Sequence, residues 1–147
     1  MRLAKSLCII AAFLFLVLSG SFPASAQQPS NDKLPKIILS GMGAFKTSGP
    51  DAAIRAWLRG SSLENSEEAL AQVNTLRQVQ DFYGPYRSFH FIQSRKLTPT
   101  TEIMYFTLDF EKGPLFAKFT VYLTGAEWIL VDFLFNTKEE QILPICP

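Results

Sequence analysis

Cysteine, histidine and clustered charge are what this chain has least of. Two cysteines and one histidine cannot build a closed metal site, which takes four nitrogen or sulfur ligands. Lysines, arginines, aspartates and glutamates nearly balance, for a net charge of +1. No block of Lys and Arg supplies the cationic footprint that phosphate backbones require, so no nucleic-acid partner is expected. Glycines are few, and Gly41-Met42-Gly43 lacks both a preceding strand and the third glycine of a dinucleotide fingerprint. Ser40, Ser61 and Ser66 have no elbow or triad context. No cofactor and no metal is expected.

A long hydrophobic run is also missing, except at the start. Arg2 and Lys5 precede an uncharged apolar stretch at residues 7–18, and Ala24-Ser25-Ala26 follows. That run is about a dozen residues, against the roughly 20 that span a bilayer. The pattern of basic start, short apolar core and small residues is that of a cleaved export signal covering residues 1–26, with Gln27 the first mature residue. The protein is therefore expected to be exported, periplasmic or secreted, with no membrane span after cleavage. Losing Arg2 and Lys5 takes the net charge from +1 to −1. Cys8 leaves with the signal, and Cys146, with no partner cysteine or neighbouring base, reads as a residue of the tail.

What is abundant is phenylalanine. Ten of the thirteen lie beyond residue 26, each worth about 1.5–3 kcal/mol when fully buried, so a core is within reach without staples. Residues 27–35 are polar and contain prolines, as in a flexible lead-in. Ile38, Met42 and Phe45 then recur at helical spacing, although Gly41 and Gly43 weaken that helix. Pro50 opens a second helix with Asp51 in its first turn, and Gly60 stops it. A longer helix starts at a capping box, Ser61 with Glu64 or Asn65 with Glu68. Its apolar set is Ala69, Leu70, Val73, Leu76, Val79 and Tyr83, and Gly84-Pro85 ends it.

From Ser88 the period changes to two. Strands are predicted over 88–97, 101–110, 115–123 and 127–136, joined by short links and so antiparallel. Helices first and strands after define an α+β domain over residues 36–140, with a tail at 141–147. Its architecture is three N-terminal helices packed on a curved antiparallel sheet of four or more strands. Met104, Phe106, Leu108 and Phe110 share a face with Leu115, Ala117, Phe119, Val121 and Leu123, and that face meets the helices. In the last strand, an odd-length loop with Gly125 left-handed turns Ile129, Val131, Phe133 and Phe135 inward. Asp132 then falls beside Lys118 on the second face, where burial without a partner does not penalise it. Tyr105, Phe116, Tyr122, Trp128, Leu130 and Leu134 are expected on that second face, a surface suited to a homodimer formed sheet to sheet.

This element order over residues 36–136, with "YGPYRSFHF" after the long helix and "AEWILVDFLFNT" near the end, resembles the nuclear-transport-factor-2-like superfamily, whose cone-shaped fold ketosteroid isomerase shares. The resemblance implies a pocket between the concave sheet face and the helices. Isomerases of that group use an aspartate base with tyrosine and protonated-acid donors, a set this chain does not reproduce at matching positions. His90, Asp132 and Tyr105 are the catalytic candidates, since His90 is the chain's one imidazole, the commonest acid–base side chain, and Asp132, Asp109 or Tyr105 could approach it across the sheet. Tyr83 and Tyr86 flank the corner where the pocket mouth would lie, and are the ligand-binding candidates. The expected role is non-catalytic binding or interaction. The alternatives are an isomerase- or dehydratase-like enzyme and a structural subunit of an envelope complex.

Overall fold

In the computed structural model, residues 33–144 are described; the expected signal, its cleavage point, Cys8 and Cys146 lie outside the described residues. Three helices come first: α1 (Lys36–Ser48), α2 (Pro50–Leu58) and α3 (Glu67–Tyr83). Four strands follow: β1 (Tyr86–Thr98), β2 (Thr101–Phe110), β3 (Pro114–Thr124) and β4 (Glu127–Asn136). They form an antiparallel meander in the order β1-β2-β3-β4, curved and unclosed, so the class is α+β. Among the described residues no helix is long and apolar enough to cross a membrane.

The predicted stripe of α1 is buried at Ile38, Met42 and Phe45. Gly41 belongs to the stripe rather than weakening the helix without return. A Cβ there would stand 2.0 Å from Trp57 Nε1, so the missing side chain is what lets α2 lay its indole against α1. That indole N–H donates to Ile38 O at 3.1 Å, which satisfies the one polar atom of a fully buried Trp57. Gly49, at φ 82°, ends α1 and precedes Pro50 at the first position of α2. Leu34, within the expected lead-in, is buried in the same core.

The start of α3 differs from expectation. Neither Ser61 nor Asn65 caps it; Ser66 does, its Oγ accepting from Ala69 N at 3.1 Å. Ser61 and Glu64 are spent one turn earlier, on Leu63 N and Gly60 N, and Asn65 turns the chain at φ 63°. Leu70 lies outside the buried stripe at 64% exposure, whereas Ala69, Val73, Leu76 and Val79 are buried. Gly84, at φ 84°, closes α3 with its N–H on Gln80 O. The corner is then pinned to the β2–β3 turn, where Lys112 N donates to Tyr83 O and Glu111 N to Pro85 O.

The sheet buries the predicted face of β2 and β3. Met104, Phe106, Leu108, Phe110, Leu115, Ala117, Phe119 and Val121 all belong to the core, whereas Leu123, at the end of β3, is only half-buried. Strand β4 departs from prediction over its first half. The loop before it has two residues, Gly125 and Ala126, with Thr124 opposite Glu127, so the turn supplies no odd residue. Leu123 therefore faces Trp128 and Val121 faces Leu130, which puts Trp128 and Leu130 on the helix side. The odd residue comes later, as a bulge: Thr120 pairs with Asp132, leaving Val131 unopposed. Beyond it Phe133 and Phe135 point inward as expected. Leu130 is wholly buried and Val131 is 37% exposed, the reverse of the predicted assignment, and Ile129 moves to the second face.

A second bulge leaves Ile92 of β1 unopposed between Phe91, which faces Phe106, and Gln93, which faces Tyr105. Such insertions bend the strand that carries them, consistent with the curvature of the sheet. The helix-facing side is filled by rings. Trp57 packs at 5.0 Å from Phe119 and 5.9 Å from Phe135, and Phe106 at 5.7 Å from Phe119.

Candidate functional site

The predicted catalytic candidates all lie on the second sheet face, outside the helix–sheet interior. His90 Nε2 is 2.9 Å from Asp109 Oδ2, and Ser88 Oγ donates to the same oxygen at 3.3 Å. In a nucleophilic triad the histidine stands between the hydroxyl and the acid. Here the acid stands between the other two, with the Ser88 proton on a carboxylate and not on an imidazole, so the triad order is not reproduced. Asp132 is 3.2 Å from Lys118 Nζ and accepts from Thr120 Oγ1 at 3.4 Å. Tyr105, opposite Lys118 in β3 and Gln93 in β1, is buried outside the main core cluster.

The two members of the predicted ligand-binding pair have different surroundings. Tyr83 stays with the helix end, where its ring would meet a Cβ at Gly113. Tyr86 stacks on Phe45 with centroids 4.6 Å apart and planes 4° from parallel, and its hydroxyl reaches Met42 Sδ at 3.8 Å. Burial pushes the Tyr86 phenol well above the ordinary tyrosine range, and the nearby Asp109 carboxylate adds to the rise. Tyr86 borders a small cleft of about 290 Å³ that also touches Leu39, Met42 and Lys46.

The larger cleft lies elsewhere, at the end of the molecule where α1 begins, α2 ends and β4 starts. Its volume is about 670 Å³, within the range of small-molecule sites. Leu34, Ile37, Ala56, Met104 and Trp128 supply its apolar lining. Met104 comes from the core face of β2, and Trp128 reaches the cleft because the two-residue loop turns it to the helix side.

Charged groups stand around that lining in two sets. Lys33, Lys36 and Arg59 come from the helical layer: the residues entering α1, its first position, and the residue closing α2. Glu102 and Glu127 come from the sheet, near the starts of β2 and β4. Among the described residues the ion pairs are Arg77–Asp51, Arg87–Glu111, His90–Asp109 and Lys118–Asp132. None uses a residue of this larger cleft.

His90 and Asp132 line neither cleft, nor does Tyr105. The main cleft escaped prediction because its members are far apart in sequence, and because residues 33–35 were read as lead-in. The available signal was Leu34-Pro35, an apolar residue and a helix-opening proline directly before the α1 stripe. No protein-family model, curated protein or solved structure matches this chain, so the chemistry of the cleft has to be read from its own residues.

Proposed function

We propose that this is an exported α+β binding domain of the cone-shaped, nuclear-transport-factor-2-like kind, and that the cleft bordered by Met104 and Trp128 holds a small amphipathic molecule. Export is supported by the basic start, apolar core and Ala24-Ser25-Ala26 of the first 26 residues. The cone-like assignment is supported by three helices followed by a curved four-strand meander. The observation that carries the binding reading is the cleft itself, an opening of about 670 Å³ with an apolar lining and charged walls, in a fold whose helix-facing interior is otherwise packed with aromatic rings. A non-catalytic role is favoured over isomerase or dehydratase chemistry because the catalytic candidates His90, Tyr105 and Asp132 line neither cleft.

Titration with 8-anilinonaphthalene-1-sulfonate, an amphipathic fluorophore, tests this reading. Saturable binding at one site is expected, abolished by Ala56→Phe, which fills the cleft from the α2 wall while circular dichroism stays native. Absence of binding, or binding indifferent to Ala56→Phe, would overturn it.

The second sheet face supports a further reading as a contact between two copies. Tyr122, Val131 and Leu134 are apolar residues exposed there, beside Phe116 and Ile129. Analytical ultracentrifugation of wild type and Leu134→Lys decides it: a dimer lost in the variant supports the contact, and a monomer at all concentrations rejects it.

A further inference from the structure

The opposite charges around the cleft do not close on one another. Three cations stand on the helical wall and two carboxylates on the sheet wall, yet none of the five forms an ion pair among the described residues. A simple anion entering the cleft would gain the Lys33, Lys36 and Arg59 side and lose against Glu102 and Glu127. A simple cation would meet the reverse. A molecule carrying both signs answers both walls at once.

The sheet wall has a second feature that suits a positive group. Trp128 lies on the helix-facing side of β4, as Glu102 does on that of β2, and both line the cleft. An ammonium group there meets a carboxylate and an indole, whose π face attracts cations, most strongly when the site is partly dry. The helical wall offers ammonium groups and a guanidinium, which suit phosphate or carboxylate oxygens. The apolar lining leaves room for a hydrocarbon portion.

We infer that the ligand of this cleft is a zwitterion of the phosphocholine or ammonium-carboxylate type, its anionic group held by Lys36 and Arg59 and its cationic group by Glu102 and Trp128. This rests on the binding reading above and names the chemical class of its ligand.

Calorimetric titrations of the protein produced from its full 147-residue sequence test it, using four ligands with the same ten-carbon chain below their micelle concentrations. These are decylphosphocholine, decyl sulfate, decyltrimethylammonium and uncharged decyl maltoside. Decylphosphocholine is expected to bind about tenfold tighter than each of the others, the size of effect that one well-placed charge contact produces. Glu102→Gln should weaken decylphosphocholine and decyltrimethylammonium but not decyl sulfate. Lys36→Gln and Arg59→Gln should weaken decylphosphocholine and decyl sulfate but not decyltrimethylammonium. These side chains lie at the cleft rim and outside the core, so the variants keep the fold.

Free phosphocholine separates two sources of the same chemistry. Binding that responds to the same variants identifies a soluble zwitterion, and binding only of the chain-bearing form identifies a lipid-like one; each supports the charge assignment. If decyl maltoside or decyl sulfate binds as tightly as decylphosphocholine, the zwitterion inference falls and the binding reading stands. If none of the four binds, both fall.

Discussion

Lys118 Nζ lies 3.2 Å from Asp132 Oδ2 on the sheet face that turns away from the helices. Thr120 of the same strand as Lys118 adds its hydroxyl to the carboxylate. The acid in the middle of the apolar β4 strand is thus a cross-strand partner, about half exposed to solvent. Pairs this exposed contribute about 0–1 kcal/mol. Asp132→Asn is accordingly expected to shift the urea midpoint by no more than that, and to leave ligand titrations unchanged. A loss of several kcal/mol, or of binding, would mean that Asp132 has a role this contact does not describe.

The bulge at Val131 makes a sharper claim about two neighbours of similar size. Leu130 is sealed in the core and Val131 stands partly in water. Truncating a buried leucine costs about 2–5 kcal/mol, so Leu130→Ala should be severe in chemical denaturation. Val131→Ala removes little buried surface and should cost under about 1 kcal/mol. A larger loss at Val131 than at Leu130 would indicate the uninterrupted alternation instead of the bulge.

That bulge also marks where the fold stopped being legible in the sequence. Alternation in β2 and β3 was readable because each strand has one clearly more polar face, with Thr107 and Asp109 in one and Lys118 and Thr120 in the other. In the first half of β4 both phases are apolar: Trp128 and Leu130 against Ile129 and Val131. Either phase satisfies burial there, and only Asp132 breaks the tie, for its own half of the strand. One extra residue was needed between Gly125 and Asp132, and hydropathy could not say whether the loop or the strand would carry it. The cleft was hidden for a different reason. Its charged walls join residues 33–36, 59, 102 and 127, which come together only once helices and sheet have packed. The helices were read correctly where burial repeats every three or four residues. The cap of α3 was misplaced because Ser61, Asn65 and Ser66 are all competent capping residues, and the turn conformation chose among them.

Two glycines in α1 should respond oppositely to the same substitution. Alanine is favoured over glycine inside a helix by about 1 kcal/mol. At Gly43 the added methyl would meet nothing within 4 Å, so Gly43→Ala should raise the melting temperature. At Gly41 the methyl would collide with the Trp57 ring and displace the indole from its bond to Ile38 O. Overpacking of this kind costs about 1–3 kcal/mol or more, which exceeds the helix gain. Gly41→Ala should therefore melt lower than wild type, and a variant that melts higher would show that α1 and α2 do not approach as closely as the Trp57 contact requires.

Acid stability should depend on Asp51. Arg77 of α3 grips this residue of α2 with two nitrogens, Nε donating to Oδ2 at 3.1 Å and Nη2 to Oδ1. The hydrogen bonds from Arg77 hold the Asp51 carboxyl below its ordinary 3.8, against a smaller opposing effect of desolvation. A folded value below the unfolded one means that the unfolded chain binds the proton first. The stabilisation is therefore present above the unfolded value and disappears as pH falls through the folded one. Both side chains are more than a third exposed, so salt should weaken the effect. Urea midpoints measured from pH 5 downward should fall more steeply for wild type than for Asp51→Asn. The gap between the two proteins should narrow below the usual carboxylate range, and narrow also in concentrated salt. Parallel curves for the two proteins would show that the Arg77 contact does not couple α2 to α3 in solution.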